Sequence, residues 1–256
     1  MGTGESERAA GASGTGRPEG PRPGPLLGSG RTADIYAVGA AEGIGGADGD
    51  GGSWVLRRYR DGLDASGEAV VMAYLHSRGY PVPELRPPGP GGGLRPTDLV
   101  MRRLTGPTLA ESLVAGRTTP AEAGAMLAEL LRRLHEIPSR AGGGSILHLD
   151  LHPENVILTA DGPVVIDWSN WEEGDPGLDR AVSALILAQV VVGDSGHPRE
   201  PVRAVLKTLL ERAPVSRETL AEAHARRRAN PTMSPAELAQ LDDAVALIGE
   251  MGPAGG

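Results

Sequence analysis

Strand-length apolar segments crowd the first part of this chain and helix-length ones fill most of the rest. That segregation points to an α+β plan with a small β-rich lobe ahead of a larger helical one. Ala33-Asp-Ile-Tyr-Ala-Val38 alternates and turns out at Gly39. Trp54-Val-Leu-Arg-Arg-Tyr59 favours strand and is ended by Asp61-Gly62. A helix is predicted over Ala65 to Arg78, with Val70, Val71, Tyr74 and Leu75 as its apolar side and Gly79 as its stop. Asp98-Leu-Val-Met101 reads as a further strand. Later, Thr119-Pro120-Ala-Glu122 and Ser234-Pro235-Ala-Glu237 are capping boxes with Pro at the first helical position. The first should open a helix burying Met126, Leu127, Leu130, Leu131 and Leu134, the second one burying Leu238, Leu241, Val245 and Ile248. Further helices are expected from Leu178, near Val202 to Arg212, and over Ser216 to Arg228. Short strands at Asn155 to Leu158 and Val164 to Asp167 interrupt this run, joined by a turn at Asp161-Gly162.

The chain of 256 residues is long enough for a sizeable core. A net charge of -8 argues against a nucleic-acid partner. The absence of cysteine excludes disulfides, thiolate metal sites and cysteine catalysis, and with no phenylalanine the core must be aliphatic. Residues 1–25 lack apolar groups to bury and are expected to be a disordered tail. Gly39 to Ser53 and Pro87 to Gly93 read as mobile loops. No secretory signal or membrane-length apolar run is visible, so cytoplasmic residence without a membrane partner is the expectation.

The most chemically loaded stretch is Ile146-Leu-His148-Leu-Asp150-Leu-His152-Pro-Glu-Asn155, followed by Val164-Val-Ile-Asp167-Trp168. Phosphoryl transfer needs positioning, a group to receive the hydroxyl proton, and metal to neutralise phosphate charge. Asp150 and Asn155 have the kinase spacing His-x-Asp-x-x-x-x-Asn, in which the Asp serves the acceptor hydroxyl and the Asn binds Mg²⁺. Asp167, just past an apolar strand, is where a second metal-binding carboxylate belongs, and Mg²⁺ wants hard oxygen ligands. Two alternatives stand beside this. His148, Asp150 and His152 alternate and could be zinc ligands, but zinc leaves Pro153-Glu-Asn155 unexplained. His148 could equally pack and hydrogen-bond to shape the loop, Asp179 could be a structural carboxylate near a helix start, and Trp168 and Trp171 could stack on a substrate or fill the core.

These motifs resemble the aminoglycoside phosphotransferase family, also called the phosphotransferase enzyme family, relatives of choline kinases and protein kinases. The family writes the loop His-Gly-Asp-Leu-His-Pro-x-Asn and the metal site Ile-Asp-Trp, then Gly-Asp-Pro, as in Gly174-Asp175-Pro176 here. The resemblance spans about Leu26 to Val192. It implies a bilobal protein-kinase-like fold, with residues 26–103 as the nucleotide-binding N-lobe and 104–256 as the helical C-lobe carrying the catalytic loop and acceptor site. It implies ATP and Mg²⁺ as cofactors and a hydroxyl of a small molecule, such as an amino sugar, amino alcohol or other metabolite, as acceptor. By position, Gly28, Ser29 and Gly30 resemble the phosphate loop, with Ala33 in place of a third glycine. Arg57 stands where the family has lysine, and Glu68 would be its ion-pair partner. The main chain at Arg102 and Leu104 would bind the adenine edge, Asp150 would be catalytic, and Asn155 and Asp167 would hold metal. Leu149 replaces the family's glycine before the catalytic Asp. The alternative function is a catalytically weak, nucleotide-binding regulatory protein. A protein kinase is disfavoured: there is no Asp-Phe-Gly, no Ala-Pro-Glu and no long segment after Asp167.

Overall fold

The computed structural model describes residues 23–30, 32–38, 54–86, 94–140, 142–193, 196, 198–230 and 234–252. Nearly all of the expected tail, and the loops at 39–53 and 87–93, lie outside the described residues. Four antiparallel strands, β1 (Leu26–Ser29), β2 (Ala33–Ala37), β3 (Trp54–Tyr59) and β4 (Asp98–Arg102), form a sheet in sequence order. Helix α1 (Ser66–Ser77) lies between β3 and β4 in the chain. In β3, Arg57 pairs with Ile35 and Leu99, and Tyr59 with Ala33, which places these residues on one face. Val55, Tyr59, Leu99 and Met101 form a small core there with Ala65. Leu56 and Val100 pack on the opposite face with Val38. The strand period of two sends neighbouring Arg57 and Arg58 to opposite faces. Arg58 is taken by a bidentate pair with Asp98, at 2.8 Å for each nitrogen.

Helix α1 departs from the predicted face. Its buried stripe is Glu68, Val71, Met72 and Leu75, while Val70 is 43% exposed. The stripe keeps helical spacing, but it begins on a charged residue, so a purely apolar search sets its phase wrongly.

The helical remainder starts with α2 (Leu109–Val114) and α3 (Pro120–His135), each opened by a capping box. The Thr108-x-x-Glu111 box that opens α2 lies outside the helices expected from the sequence. On α3, Leu127, Leu130, Leu131 and Leu134 are buried and Met126 only partly so. Strand β5 (Ser145–Leu147) leads into the loop at His148, and a 3-10 turn at Pro153–Asn155 follows. Strands β6 (Val156–Thr159) and β7 (Gly162–Val165) form a hairpin, and β8 (Glu172–Gly174) pairs with β5. Asn155 and Asp167 therefore sit just outside the strands expected to hold them. Gly162, at φ 123°, supplies the turn that an L side chain resists.

Helix α4 (Pro176–Val192) carries the buried centre, packed by α5 (Arg199–Arg212), α6 (Arg217–Ala229) and, beyond α7 (Pro235–Ala239), α8 (Leu241–Met251). Ala181, Ala184, Leu185 and Ala188 of α4 are fully buried, the small residues letting neighbouring helices approach. The helix expected after Ser234 is broken at Gln240, which ends α7 and opens α8. The break re-phases the buried face to Leu241, Ala244, Leu247 and Ile248, leaving Leu238 and Val245 partly buried. Among the described residues, no helix is long and apolar enough to cross a membrane.

Candidate active site

The loop after β5 is shaped from beneath by Asp179, on the first turns of α4. Its fully buried carboxylate accepts the backbone N–H of His148 at 3.0 Å and of Leu149 at 2.8 Å, and pairs with His135 Nε2 at 2.9 Å. Successive N–H groups aimed at one anion make a nest. Burial alone would raise the Asp179 pKa, but the His135 hydrogen bond and the backbone donors outweigh it and hold the group below the ordinary carboxylate range. This arrangement accommodates the departure at Leu149, which sits in the left-handed region at φ 58°. Glycine reaches that region without penalty, and an L side chain pays about 1–2 kcal/mol. His148 is fully buried, and burial keeps it neutral by pushing its pKa down. Its Nδ1 accepts from Asp150 N at 3.2 Å, so Nε2 donates to Ile166 O at 3.0 Å. With both ring nitrogens engaged, His148 shapes the loop and has no nitrogen left for zinc. Trp168 is fully buried against His148 and Tyr80, which makes it a core residue and not a substrate platform.

Asp150 and Asn155 are brought together across the 3-10 turn. Asn155 Nδ2 donates to the Asp150 main-chain oxygen at 2.9 Å and reaches its carboxylate at 3.4 Å, which turns the amide oxygen away from Asp150. Ile166 N donates to Asn155 O at 3.0 Å, tying this turn to the segment that carries Asp167. Burial pushes the Asp150 pKa up, and the neighbouring Asp167 carboxylate adds to it.

Asp167, at φ 63°, meets Arg57. Arg57 Nη2 donates to Asp167 Oδ1 at 2.7 Å and Nη1 to Glu68 Oε1 at 2.8 Å, so one planar guanidinium joins β3, α1 and the segment after β7. Glu68 also accepts from the Tyr59 hydroxyl and, at 3.2 Å, from Trp168 N. The Arg57 cation lies 4.9 Å from the Tyr59 ring centroid. Burial would lower the Arg57 pKa, yet Glu68 and Asp167 hold it above its ordinary value. Burial would likewise raise Asp167, but Arg57 and Ser169 keep it below the ordinary range. The ion pair expected between Arg57 and Glu68 is present, and Tyr59 and Trp168 N are partners that no spacing rule announced.

At the sheet edge, Gly28 and Gly30 have no positive φ. A Cβ on Gly28 would meet nothing within 4 Å, and one on Gly30 only Ala33 O at 3.5 Å. Neither local backbone nor packing demands glycine there. The Ser29 hydroxyl is committed to Asp34 at 2.7 Å, and Asp34 is paired with Arg60, which drops its pKa to about 2. Ser29 can therefore offer a ligand its main chain but not a free hydroxyl. The Arg102 N–H donates to Glu84 O at 2.8 Å and is not available to an adenine edge; Leu104, two residues on, is half-buried.

A kinase-like α+β fold is thus defined by the antiparallel N-terminal sheet and the helical remainder. The phosphotransferase enzyme family matches the chain over residues 25–145 and 141–214, and the chain belongs to that family. Similar solved structures include an aminoglycoside phosphotransferase, APH(2'')-Ib, with ADP bound, at 14% identity over 88% of this chain and 93% of that one, TM-score 0.51. They also include APH(2'')-IIa with streptomycin and ATP, at 15% identity over 88% of each chain, TM-score 0.50. A third is amicoumacin kinase hAmiN with AMP-PNP, Ca²⁺ and Ami, at 13% identity over 90% of this chain and 89% of that one, TM-score 0.50. These likenesses establish the fold and leave the acceptor open. No curated protein sequence matches the chain significantly.

Proposed function

We propose that the chain transfers the γ-phosphoryl group of ATP, with Mg²⁺, to a hydroxyl of a small molecule. The observation that carries this is the convergence of Asp150, Asn155 and Asp167 on one loop system, with Arg57 reaching Asp167 from the sheet. Residues 26–103 would bind nucleotide and 104–256 would supply the catalytic loop and acceptor site. The nucleotide-bound relatives support ATP.

The residues fit a hard divalent cation. Asn155 Oδ1 faces away from Asp150, and Arg57 and Ser169 bind only Oδ1 of Asp167, leaving Oδ2 for a ligand. Asn155 and Asp167 would hold Mg²⁺, which supplies charge neutralisation at the phosphates. Arg57 aligns the phosphates while Glu68 anchors its other nitrogen. Gly28 to Gly30 let the main chain approach the phosphates, and the Arg102 carbonyl with the Leu104 N–H takes the adenine edge. The acceptor oxygen attacks phosphorus, the bond to the ADP oxygen breaks, and Asp150 takes the hydroxyl proton. Its raised pKa suits a base. Cytoplasmic residence follows for an ATP-consuming protein.

The test is phosphoryl transfer from labelled ATP across a panel of hydroxyl compounds, alongside the thermal shift with Mg²⁺-ATP. Binding and transfer together are expected. Binding with no transfer to any acceptor would favour the regulatory alternative.

A further inference from the structure

The guanidinium of Arg57 could meet Glu68 in two ways, and the structure holds the open one. An arginine facing a free carboxylate grips both oxygens with its planar fork. Arg58, the next residue of β3, does this with Asp98, at 2.8 Å for each nitrogen. Arg57 gives Glu68 only Nη1, on Oε1 at 2.8 Å, and turns Nη2 to Asp167 Oδ1 at 2.7 Å. Glu68 is held from two further sides. Its Oε2 accepts the Tyr59 hydroxyl, and its Oε1 also accepts Trp168 N at 3.2 Å. Tyr59 stands two residues after Arg57 on the same face of the strand, with its ring centroid 4.9 Å from the cation. Arg57, Tyr59 and Glu68 are all buried, at 7% exposure or less, so water offers little competition for these bonds. Burial, with the Glu68 charge beside it, pushes the Tyr59 pKa up, so the hydroxyl stays a donor at neutral pH.

We propose that Tyr59 is a positioning residue for the nucleotide phosphates. By occupying Glu68 Oε2 and flanking the guanidinium, it keeps Arg57 from closing its fork on Glu68 and leaves Nη2 directed to the Asp167 side of the site. The proposal rests on the phosphotransfer reading above and deepens it. Tyr59 answers the presence of arginine where the family has lysine. An ammonium is a point charge with three rotatable donors and has no fork to close, whereas a planar guanidinium has a fixed orientation for each pairing. A strand that carries arginine here needs a second residue to set its direction, and the strand period places Tyr59 beside it.

The test is a double-mutant cycle read by calorimetric titration with Mg²⁺ and AMP-PNP, which needs no acceptor. Tyr59→Phe keeps the ring and removes the hydroxyl. In the arginine protein it should weaken binding about tenfold, the effect of losing one hydrogen bond to a charged group. In Arg57→Lys, the same change should cost less than about twofold, because the two sites are coupled only through the fork. Weakening confined to the arginine background upholds the proposal. A loss as large in the lysine background, as a purely structural tyrosine would give, or no loss in either, overturns it and leaves phosphotransfer standing. A wild type that binds no AMP-PNP removes the phosphotransfer reading and this proposal with it. Should Tyr59→Phe not fold, the crystal structure of the wild-type complex with Mg²⁺ and AMP-PNP decides. Tyr59 on Glu68 Oε2, with Arg57 Nη2 turned away from Glu68, upholds the proposal. An Arg57 fork closed on both Glu68 oxygens, or a Tyr59 hydroxyl detached from Glu68, sinks it.

Discussion

Two buried charge networks meet at the candidate site, and they are built differently. Around Asp179 everything is enclosed: the carboxylate is fully buried and its donors are His135 and two loop N–H groups. Around Arg57, one end is sealed and the other is open. Glu68 is buried, whereas the Asp167 side chain keeps 37% of its exposure. A closed network can only hold a shape. An open one can trade a partner, so on the proposed reading Arg57 Nη2 would leave Asp167 for a phosphate while Glu68 keeps Nη1 in place. The site thus pairs a permanent floor under Asp150 with an adjustable roof at Arg57.

Breaking the floor should have the largest effect. Asp179→Ala leaves two loop N–H groups and His135 without their acceptor, and loss of one partner in a buried ionic network costs about 3–5 kcal/mol. Against a total of about 5–15 kcal/mol, chemical denaturation should show a severely destabilised protein. Asp167→Asn, at the open end, should change stability by about 1 kcal/mol or less while removing the Mg²⁺-dependent thermal shift. Equal destabilisation by the two changes would erase the distinction. The pH dependence carries the same sign. The folded Asp179 pKa is depressed, so its contribution is present above the ordinary Asp pKa of about 3.9 and is lost as pH falls through the lower folded value.

Next is Asp150→Asn. Transfer should drop by roughly 10²- to 10⁴-fold, the range for a lost general base, with the Mg²⁺-ATP thermal shift kept. The folded Asp150 pKa is raised, so its protonated form is favoured by folding and its charged form at neutral pH is not. Asp150→Asn should therefore melt no lower than wild type. The acid limb of the wild-type rate profile should lie above the ordinary carboxylate range. A variant that turns over normally would show that the floor supports some other group.

Arg57→Ala should mainly weaken nucleotide binding, read as a raised KM for ATP, and Arg57→Lys should retain part of the function. Arg58 cannot substitute, since Asp98 holds it on the opposite face. Normal ATP kinetics in Arg57→Ala would mean the roof is only structural.

What was legible in the sequence divides along the same line. Asp150, Asn155 and Asp167 lie within one short stretch joined by a hairpin, so spacing alone places them. The capping boxes at Thr119 and Ser234 are likewise local, and both are formed. The support is not local. Asp179 reaches back to residues 148 and 149, and nothing in its neighbourhood distinguishes it from a carboxylate that merely suits a helix start. Glu68 hides because burial of a glutamate depends on Arg57 and Tyr59 of β3 and on Trp168 N after β7, partners that arrive from two other segments. The Arg102 N–H looks available in the strand alone and is consumed by Glu84, outside the predicted strands.

The smallest effect should come from Leu149→Gly, and it tests whether the floor holds the loop unaided. At φ 58° the leucine carries a backbone penalty of about 1–2 kcal/mol. Glycine would relieve it but adds entropy to the unfolded chain, worth about 0.4–1 kcal/mol. It also gives up the contact of the half-buried leucine with the core. These terms oppose one another, so stability should stay within about 1 kcal/mol of wild type, a change too small to need a structural rearrangement. Transfer should be nearly unchanged, because the N–H bonds to Asp179 belong to the main chain and survive the substitution. Leu149→Val keeps the penalty and adds a branched Cβ where φ is positive, so it should be the less stable of the pair. If instead Leu149→Gly loses transfer while remaining folded, the leucine side chain, and not Asp179, sets the position of Asp150.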